Sequence, residues 1–168
     1  LDELEKKMNF TKSMYIQEKI VAKGLYKKFR NFERFFYNNT VIDAPRVLTR
    51  EIYSKIGGFD TSIDFGADDW DISKKIKNKN INSILSTNVV YHNENNLNFT
   101  KVLKKKINYS NNFDKYIKKW GKQDNDIKKQ FGIWYRFLGI FIENKKKVIF
   151  LIKNINLYFI FLFNKFLV

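Results

Sequence analysis

The sequence predicts an α/β fold with a helical, amphipathic C-terminal extension. Between residues 41 and 91, extended and helical segments alternate around an acidic turn, which is the pattern of an α/β domain. Between residues 99 and 120, apolar side chains recur with the period of an α-helix and lysines lie between them. We therefore expect an α/β part over residues 1–95 and a helical, membrane-associated extension over residues 96–168.

The first predicted helix is an aromatic one that ends near residue 37. Upstream of it, apolar residues occur at Ile16, Ile20 and Val21. Four aromatic side chains then recur at helical spacing, with charged residues on the opposite face. They are Phe29, Phe32, Phe36 and Tyr37. Asn38 and Asn39 supply turn chemistry, so the helix should stop there.

A proline and a glycine pair define the next two elements, an extended segment and a short helix. Pro45 is the only proline, and it favours extended chain over residues 41–48 because proline cannot lie inside a helix. A short helix is predicted over residues 49–56, with Thr49 as its N-cap. The Gly57-Gly58 pair should end this helix.

A second helix should begin at the acidic cluster and continue through Ile72 and Ile76 to Asn80. The following residues, 81–91, have the composition of a strand, and residues 93–98 form a polar break. The order strand, helix, acidic turn, helix, strand is what assigns the α/β class.

The C-terminal extension contains two amphipathic segments. Residues 99–120 predict a long basic helix, broken near Asn111-Asn112, and a linker follows at residues 121–125. Residues 148–168 are apolar over a length that could span a bilayer, but five polar residues interrupt them on one side of a helical wheel. We therefore favour one helix lying in the membrane interface. A helix buried against a partner or another domain fits the same pattern.

Composition predicts a folded, basic protein and excludes chemistry that depends on cysteine. The 168 residues are 44% hydrophobic and 17% aromatic, enough for a folded core, and the formal net charge of +15 predicts attraction to polyanions. The absence of Cys removes disulfides, thiol nucleophiles and Cys-based zinc sites from consideration. Because the chain begins at Leu1 rather than Met, we expect it to be a fragment of a longer protein.

Three motifs in order carry the strongest functional signal. They are the turn Gly57-Gly58-Phe59-Asp60, the cluster Asp68-Asp69-Trp70-Asp71, and Tyr91-His92-Asn93-Glu94, with Arg46 upstream. Their order and spacing resemble the family 2 glycosyltransferases, which are inverting enzymes of GT-A (Rossmann-like) fold, and in particular the membrane-associated bacterial and archaeal members. The resemblance implies that this chain is the C-terminal, acceptor-side part of such an enzyme.

The resemblance also implies roles for individual residues. Asp69 takes the place of the catalytic base that deprotonates the acceptor hydroxyl. Asp68 stands where the family usually has Glu, and it is the second catalytic candidate, which would help to position acceptor or donor. Trp70, Arg46 and Asp71 are the candidates for substrate binding. His92 is the candidate ligand of a divalent metal, Mg²⁺ or Mn²⁺, which such enzymes hold mainly on an N-terminal Asp-x-Asp motif.

The resemblance further implies partners and a location. The donor would be a nucleotide sugar, and the acceptor a hydroxyl of a lipid-linked or cell-surface glycan. Since the donor-binding half is missing from these residues, the chain alone should transfer little or nothing. We expect peripheral association with the cytoplasmic face of the cell membrane through its anionic surface, and no nucleic-acid partner.

Other interpretations of the same residues stay open. Asp68 as an N-cap with Asp71 in the first turn is also what a helix start requires, and Trp70 and a lone His92 are common structural residues. A basic, aromatic nucleic-acid-binding module is a second hypothesis, although the acidic cluster would repel its ligand. A non-catalytic membrane-surface adaptor is a third.

Overall fold

A computed structural model describes residues 6–7, 11–63, 66–95, 104 and 113–167. The chain is a mixed α/β protein, so the predicted class is confirmed. Its elements, in chain order, are β1 (Ser13–Val21), α1 (Gly24–Tyr37), β2 (Val47–Leu48), α2 (Arg50–Lys55), α3 (Asp68–Asn78), β3 (Ser83–Asn93), α4 (Phe113–Trp120), α5 (Asn125–Phe131), a π-helical turn (Tyr135–Gly139), α6 (Ile140–Ile142), α7 (Lys145–Lys153) and α8 (Ile155–Leu167).

The three strands form one mixed sheet in the order β2-β1-β3. The central strand β1 is antiparallel to β2 and parallel to β3. A bulge interrupts the parallel pair, because Tyr15 pairs with Leu85 whereas Gln17 pairs with Val89. The chain from β1 to β3 passes through helices, as parallel pairing requires a long crossover.

The predicted helices of the α/β part are confirmed with small shifts at their ends. The aromatic helix is α1, and the short helix α2 begins after Thr49, whose hydroxyl accepts a hydrogen bond from the Ile52 backbone at 3.3 Å. The predicted strand over residues 81–91 is β3, which begins and ends two residues later. Of the extended chain predicted over residues 41–48, Val47–Leu48 forms strand β2, whereas residues 41–42 lie in a turn.

The helical extension packs on the aromatic helix α1. Phe32 and Phe36 of α1 lie in one buried cluster with Phe141 of α6 and Phe161 of α8. The ring centroids of Phe36 and Phe141 are 4.7 Å apart. The exposed charged side of α1 thus faces away from the largest hydrophobic core.

The prediction of a single C-terminal helix over residues 148–168 was wrong. The segment forms two helices, α7 and α8, that meet at Asn154 with a bend of 91°. Asn154 leaves the helical conformation, and its side-chain amide donates to the Phe150 carbonyl at 2.9 Å. No single helix among the described residues is long and apolar enough to cross a membrane, although this bent pair has the necessary length and composition when taken together.

The predicted helix over residues 99–120 is described only in its last part. α4 covers Phe113–Trp120, and apart from Lys104 the earlier residues, including the predicted break at Asn111-Asn112, lie outside the described residues. The predicted linker over residues 121–125 is a short turn. Asp124 then caps α5 by accepting from the backbone N–H groups of Asp126 and Ile127.

A buried charge network ties α1 to α8 and to the end of β3. Glu33 is 2% exposed and pairs with Arg30, with Lys165 of α8 at 2.8 Å, and with the Tyr37 hydroxyl at 2.7 Å. Arg30 also contacts Glu94, just after β3, at 2.9 Å. Burial alone raises the pKa of Glu33, but the two cations and the hydrogen bonds outweigh it and hold the pKa well below its usual range. Glu33 is therefore ionised in the folded protein.

Candidate functional site

The Gly-Gly-Phe-Asp turn is fixed to two helices. Gly58 has φ of 61°, and a Cβ there would lie 3.0 Å from the Tyr53 ring, so both conformation and space favour glycine. The Gly58 carbonyl accepts from Lys75 of α3 at 2.7 Å, and Asp60 pairs with Lys119 of α4 at 2.7 Å. The turn thus sets the position of α3 relative to the rest of the site.

The acidic cluster forms the first turn of α3. The helix starts as predicted, but its N-cap is Ala67 rather than Asp68. Asp68 is the first helical residue, and its carboxylate accepts from the backbone N–H of Gly66 at 3.0 Å. Its side chain therefore closes the loop that enters the helix, and all three aspartates benefit from the helix dipole.

Asp69 is the aspartate whose carboxylate is open to solvent. Its side chain is 48% exposed, and its one ion pair among the described residues is with Arg46, at 3.3 Å. Burial raises the pKa of Asp69, the negative charges of Asp68 and Glu18 raise it further, and Arg46 opposes them. The net shift of the Asp69 pKa is upward.

Glu18 brings three of the predicted residues together. Arg46 donates to Glu18 at 2.6 Å while contacting Asp69, and it therefore bridges the two carboxylates. The other Glu18 oxygen lies 3.2 Å from Arg34 and 4.0 Å from His92 Nδ1. Arg46, Asp69 and His92 are far apart in sequence, yet they surround one glutamate on the central strand.

Glu18 was not predicted as a site residue, although the sequence contains a signal for this role. Met14, Ile16 and Ile20 alternate along β1 and are buried, and Glu18 occupies the remaining place on that face. A carboxylate within a buried, alternating apolar face requires a charged partner. The alternation is short, however, and residues 14–20 were not recognised as a strand.

Trp70 is built into a small core. Its indole N–H donates to the Ile42 carbonyl at 3.0 Å, and its ring stacks on Phe113 with centroids 5.6 Å apart. Phe131 meets the ring edge-on at 5.7 Å. The ring is thus engaged on several sides, and its predicted contact with a sugar stays a prediction.

Asp71 is fully buried and serves as a structural anchor. It accepts from the Trp120 indole N–H at 2.7 Å and from Lys119 at 2.9 Å, and Lys75 lies 3.2 Å away. These contacts tie α3 to α4. A substrate contact by Asp71, as the sequence predicted, would require these bonds to open.

A large cavity lies beside the site rather than at Asp69. It measures about 920 Å³ and is bounded by β1, α3, α5 and the start of α7, with Tyr15, Trp70, Ser73 and Lys147 among its walls. Burial raises the pKa of Tyr15 to about 12, so its hydroxyl stays protonated. Among the described residues the cavity is connected to the acidic cluster through Trp70 and through Ser73, whose hydroxyl donates to the Asp69 backbone carbonyl at 2.9 Å.

The residues that the structure describes do not build a metal site of their own. Within the part of the chain that the structure describes, no three His, Asp or Glu side chains are grouped closely enough to hold an ion. Glu18 and His92 are one close pair, but the pair lacks a third ligand. We therefore derive no chemical step through the Mg²⁺ or Mn²⁺ that the resemblance implies.

The site is thus a half-exposed carboxylate, Asp69, linked through Arg46 to the largely covered Glu18, with His92 close by. Such a group can accept a proton from a bound hydroxyl. A scan against protein-family models and searches of curated proteins and of solved structures found no match to this chain.

Proposed function

We propose that this chain is the acceptor-side part of an inverting glycosyltransferase of GT-A type, with Asp69 as its catalytic base. The single observation that carries the proposal is the state of Asp69, which is half-exposed, paired with Arg46, and has a raised pKa. Asp71 of the same cluster is buried and fully engaged. The order of the three motifs gives the same assignment through the family resemblance.

The proposed step is a single displacement. The acceptor hydroxyl gives its proton to an Asp69 carboxylate oxygen while its oxygen forms a bond to the anomeric carbon of the donor sugar. The bond from that carbon to the nucleotide diphosphate breaks, and the diphosphate leaves with the bonding electrons. Attack opposite to the leaving group inverts the anomeric centre, and the charge-separated transition state resembles that of glycoside hydrolysis.

Arg46 and Glu18 would act as positioning residues for this base. The guanidinium contacts Glu18 at 2.6 Å and Asp69 at 3.3 Å, so it holds the Asp69 carboxylate in one orientation. It also limits the rise in the pKa of Asp69, because a cation stabilises the ionised carboxylate. A base must be ionised to accept the proton, so Arg46 extends its working range toward lower pH.

The test is Asp69→Asn in the full-length enzyme, with release of nucleoside diphosphate measured over a panel of UDP- and GDP-sugars and a hydroxyl acceptor. We expect a loss of at least about a hundredfold in rate, because a general base typically contributes that much. Asp114→Asn, at an exposed acid on α4, is the matched control and should keep normal turnover. Near-normal turnover by Asp69→Asn would refute the assignment.

A further inference from the structure

The C-terminal third of the chain carries an unusual concentration of exposed apolar side chains. Of the 14 large apolar residues that are exposed in the described part of the chain, nine lie between residues 133 and 163. Trp134 is 83% exposed and Ile133 is 73% exposed. Single exposed apolar residues are ordinary, but nine within one stretch of 31 residues indicate an interaction surface.

Helix α8 is apolar on both of its sides. On the inner side, Phe161 is buried and packs against Phe141 with ring centroids 5.0 Å apart. On the outer side, Ile155, Phe159 and Phe163 follow one another at spacings of four residues and are 42%, 61% and 66% exposed. A row of exposed apolar side chains along one side of a helix marks an interaction surface. The outer stripe therefore needs a second apolar environment besides the core.

Helix α7 also exposes apolar side chains, and it adds positive charge. Ile149 and Ile152 are 61% and 67% exposed, and Lys145, Lys146 and Lys153 are exposed beside them. From residue 144 to the C-terminus the sequence contains five lysines and no Asp or Glu. A second copy of this chain would bring lysine-rich surfaces together, which is repulsive, whereas a surface that is both apolar and anionic complements both features.

The lengths of the helices favour contact along a membrane over crossing it. The nine residues of α7 and the 13 residues of α8 correspond to about 14 Å and 20 Å, less than the roughly 30 Å of a hydrocarbon core. The bend of 91° between them prevents the pair from acting as one straight helix. Tryptophan is also the side chain that prefers the depth of the lipid headgroups.

We propose that α7, α8 and the Ile133-Trp134 pair together form a surface that inserts its exposed apolar side chains into the headgroup region of an anionic membrane. The exposed lysines of α7, Lys145, Lys146 and Lys153, contact lipid phosphates, while the inner side of α8 stays packed on the protein. This surface differs from the predicted single interfacial helix because it is made of two helices at a right angle and a separate tryptophan. It does not depend on the transferase chemistry.

The experiment is co-sedimentation of the full-length protein with phosphatidylglycerol/phosphatidylcholine vesicles and with phosphatidylcholine vesicles alone. We expect retention on the anionic vesicles, reduced at high salt. Phe159→Gln combined with Phe163→Gln should weaken the partition by at least about tenfold, since two aromatic side chains no longer enter the lipid. Leu25→Gln, at an exposed apolar residue of α1, is the matched control and should bind as the wild type does.

Tryptophan fluorescence gives a second measurement that does not rest on sedimentation. The emission should shift to the blue when anionic vesicles are added, and Trp134→Phe should remove most of that shift. Unaltered melting temperatures of the variants would show that the fold is intact. The proposal is overturned if the wild type stays in the supernatant, if the double variant sediments like the wild type, or if the exposed stripe instead supports self-association without lipid.

Discussion

Replacing Glu33 by Gln tests whether the buried charge network holds the C-terminal helix on the rest of the protein. Glu33 is 2% exposed and lies between the cations Arg30 and Lys165, so the substitution leaves two buried or half-buried positive charges without their shared partner. Removing one partner of a buried pair costs about 3–5 kcal/mol. Arg30 keeps its ion pair with Glu94 at 2.9 Å, and the Lys165 side chain is 23% exposed. We therefore expect a loss of unfolding free energy at the low end of this range, about 3 kcal/mol.

The assay is thermal and urea unfolding at pH 7, followed by circular dichroism. A loss of about 3 kcal/mol corresponds to a fall in Tm of roughly 6–12 °C for a chain of this size. Glu51→Gln is the matched control, because Glu51 pairs with Lys12 while both side chains are more than half exposed, and it should leave Tm unchanged. A Glu33→Gln protein that melts within about 1 °C of the wild type would refute the reasoning.

The pH dependence of folding stability in the same variant tests the direction of the Glu33 pKa shift. The pKa of Glu33 is depressed in the folded state, so its stabilising contribution is fully present above the unfolded pKa of about 4.3 and is lost as pH falls toward the folded value. The wild type should therefore lose stability more steeply than Glu33→Gln below about pH 5. Parallel curves for the two proteins in acid would contradict the assigned ion pairs.

Three further substitutions test the turn, the acidic helix and the base. Gly58→Ala should lower the free energy of unfolding in urea more than Gly57→Ala does. Both positions have positive φ, which costs alanine about 1 kcal/mol, but only at Gly58 does the new Cβ meet an aromatic ring. Equal losses would contradict this. Asp71→Asn should cost about 2 kcal/mol in the same assay, because the fully buried carboxylate loses its charge-assisted bonds to Lys119 and Lys75. Both lysines keep a second partner, so the cost stays below that of a fully broken buried pair, and a neutral effect would rule out the anchoring role of Asp71. In the full-length enzyme, Arg46→Gln should move the acidic limb of the pH–rate profile to higher pH, because the pKa of Asp69 rises further without the guanidinium; an unmoved limb would separate Arg46 from the base.

The helices of the α/β part were predictable because their signals are local. The aromatic spacing of α1, the Thr49 cap of α2 and the acidic first turn of α3 all lie within the elements that they define. The signal for β1 is weaker, since a charged residue interrupts its apolar alternation and its partner strands follow much later in the chain. Strand pairing over such distances leaves little trace in a single sequence.

The candidate site was predictable in its residue types and less so in its contacts. Asp69, Arg46 and His92 were identified individually, and their common neighbour Glu18 emerged only when β1 was placed between β2 and β3. The break at Asn154 was missed because apolar residues continue on both sides of it, so the sequence pattern alone fits one helix.

The bulge between β1 and β3 determines which side chain meets Glu18. From Tyr15 to Gln17, β1 advances by two residues, while β3 advances by four, from Leu85 to Val89. The surplus is an even number, so the alternation of side chains between the two faces of the sheet is preserved beyond it. Shortening β3 by one residue at this point would reverse that alternation and would place Asn93, instead of His92, at the position that pairs with Ile20 and lies beside the glutamate.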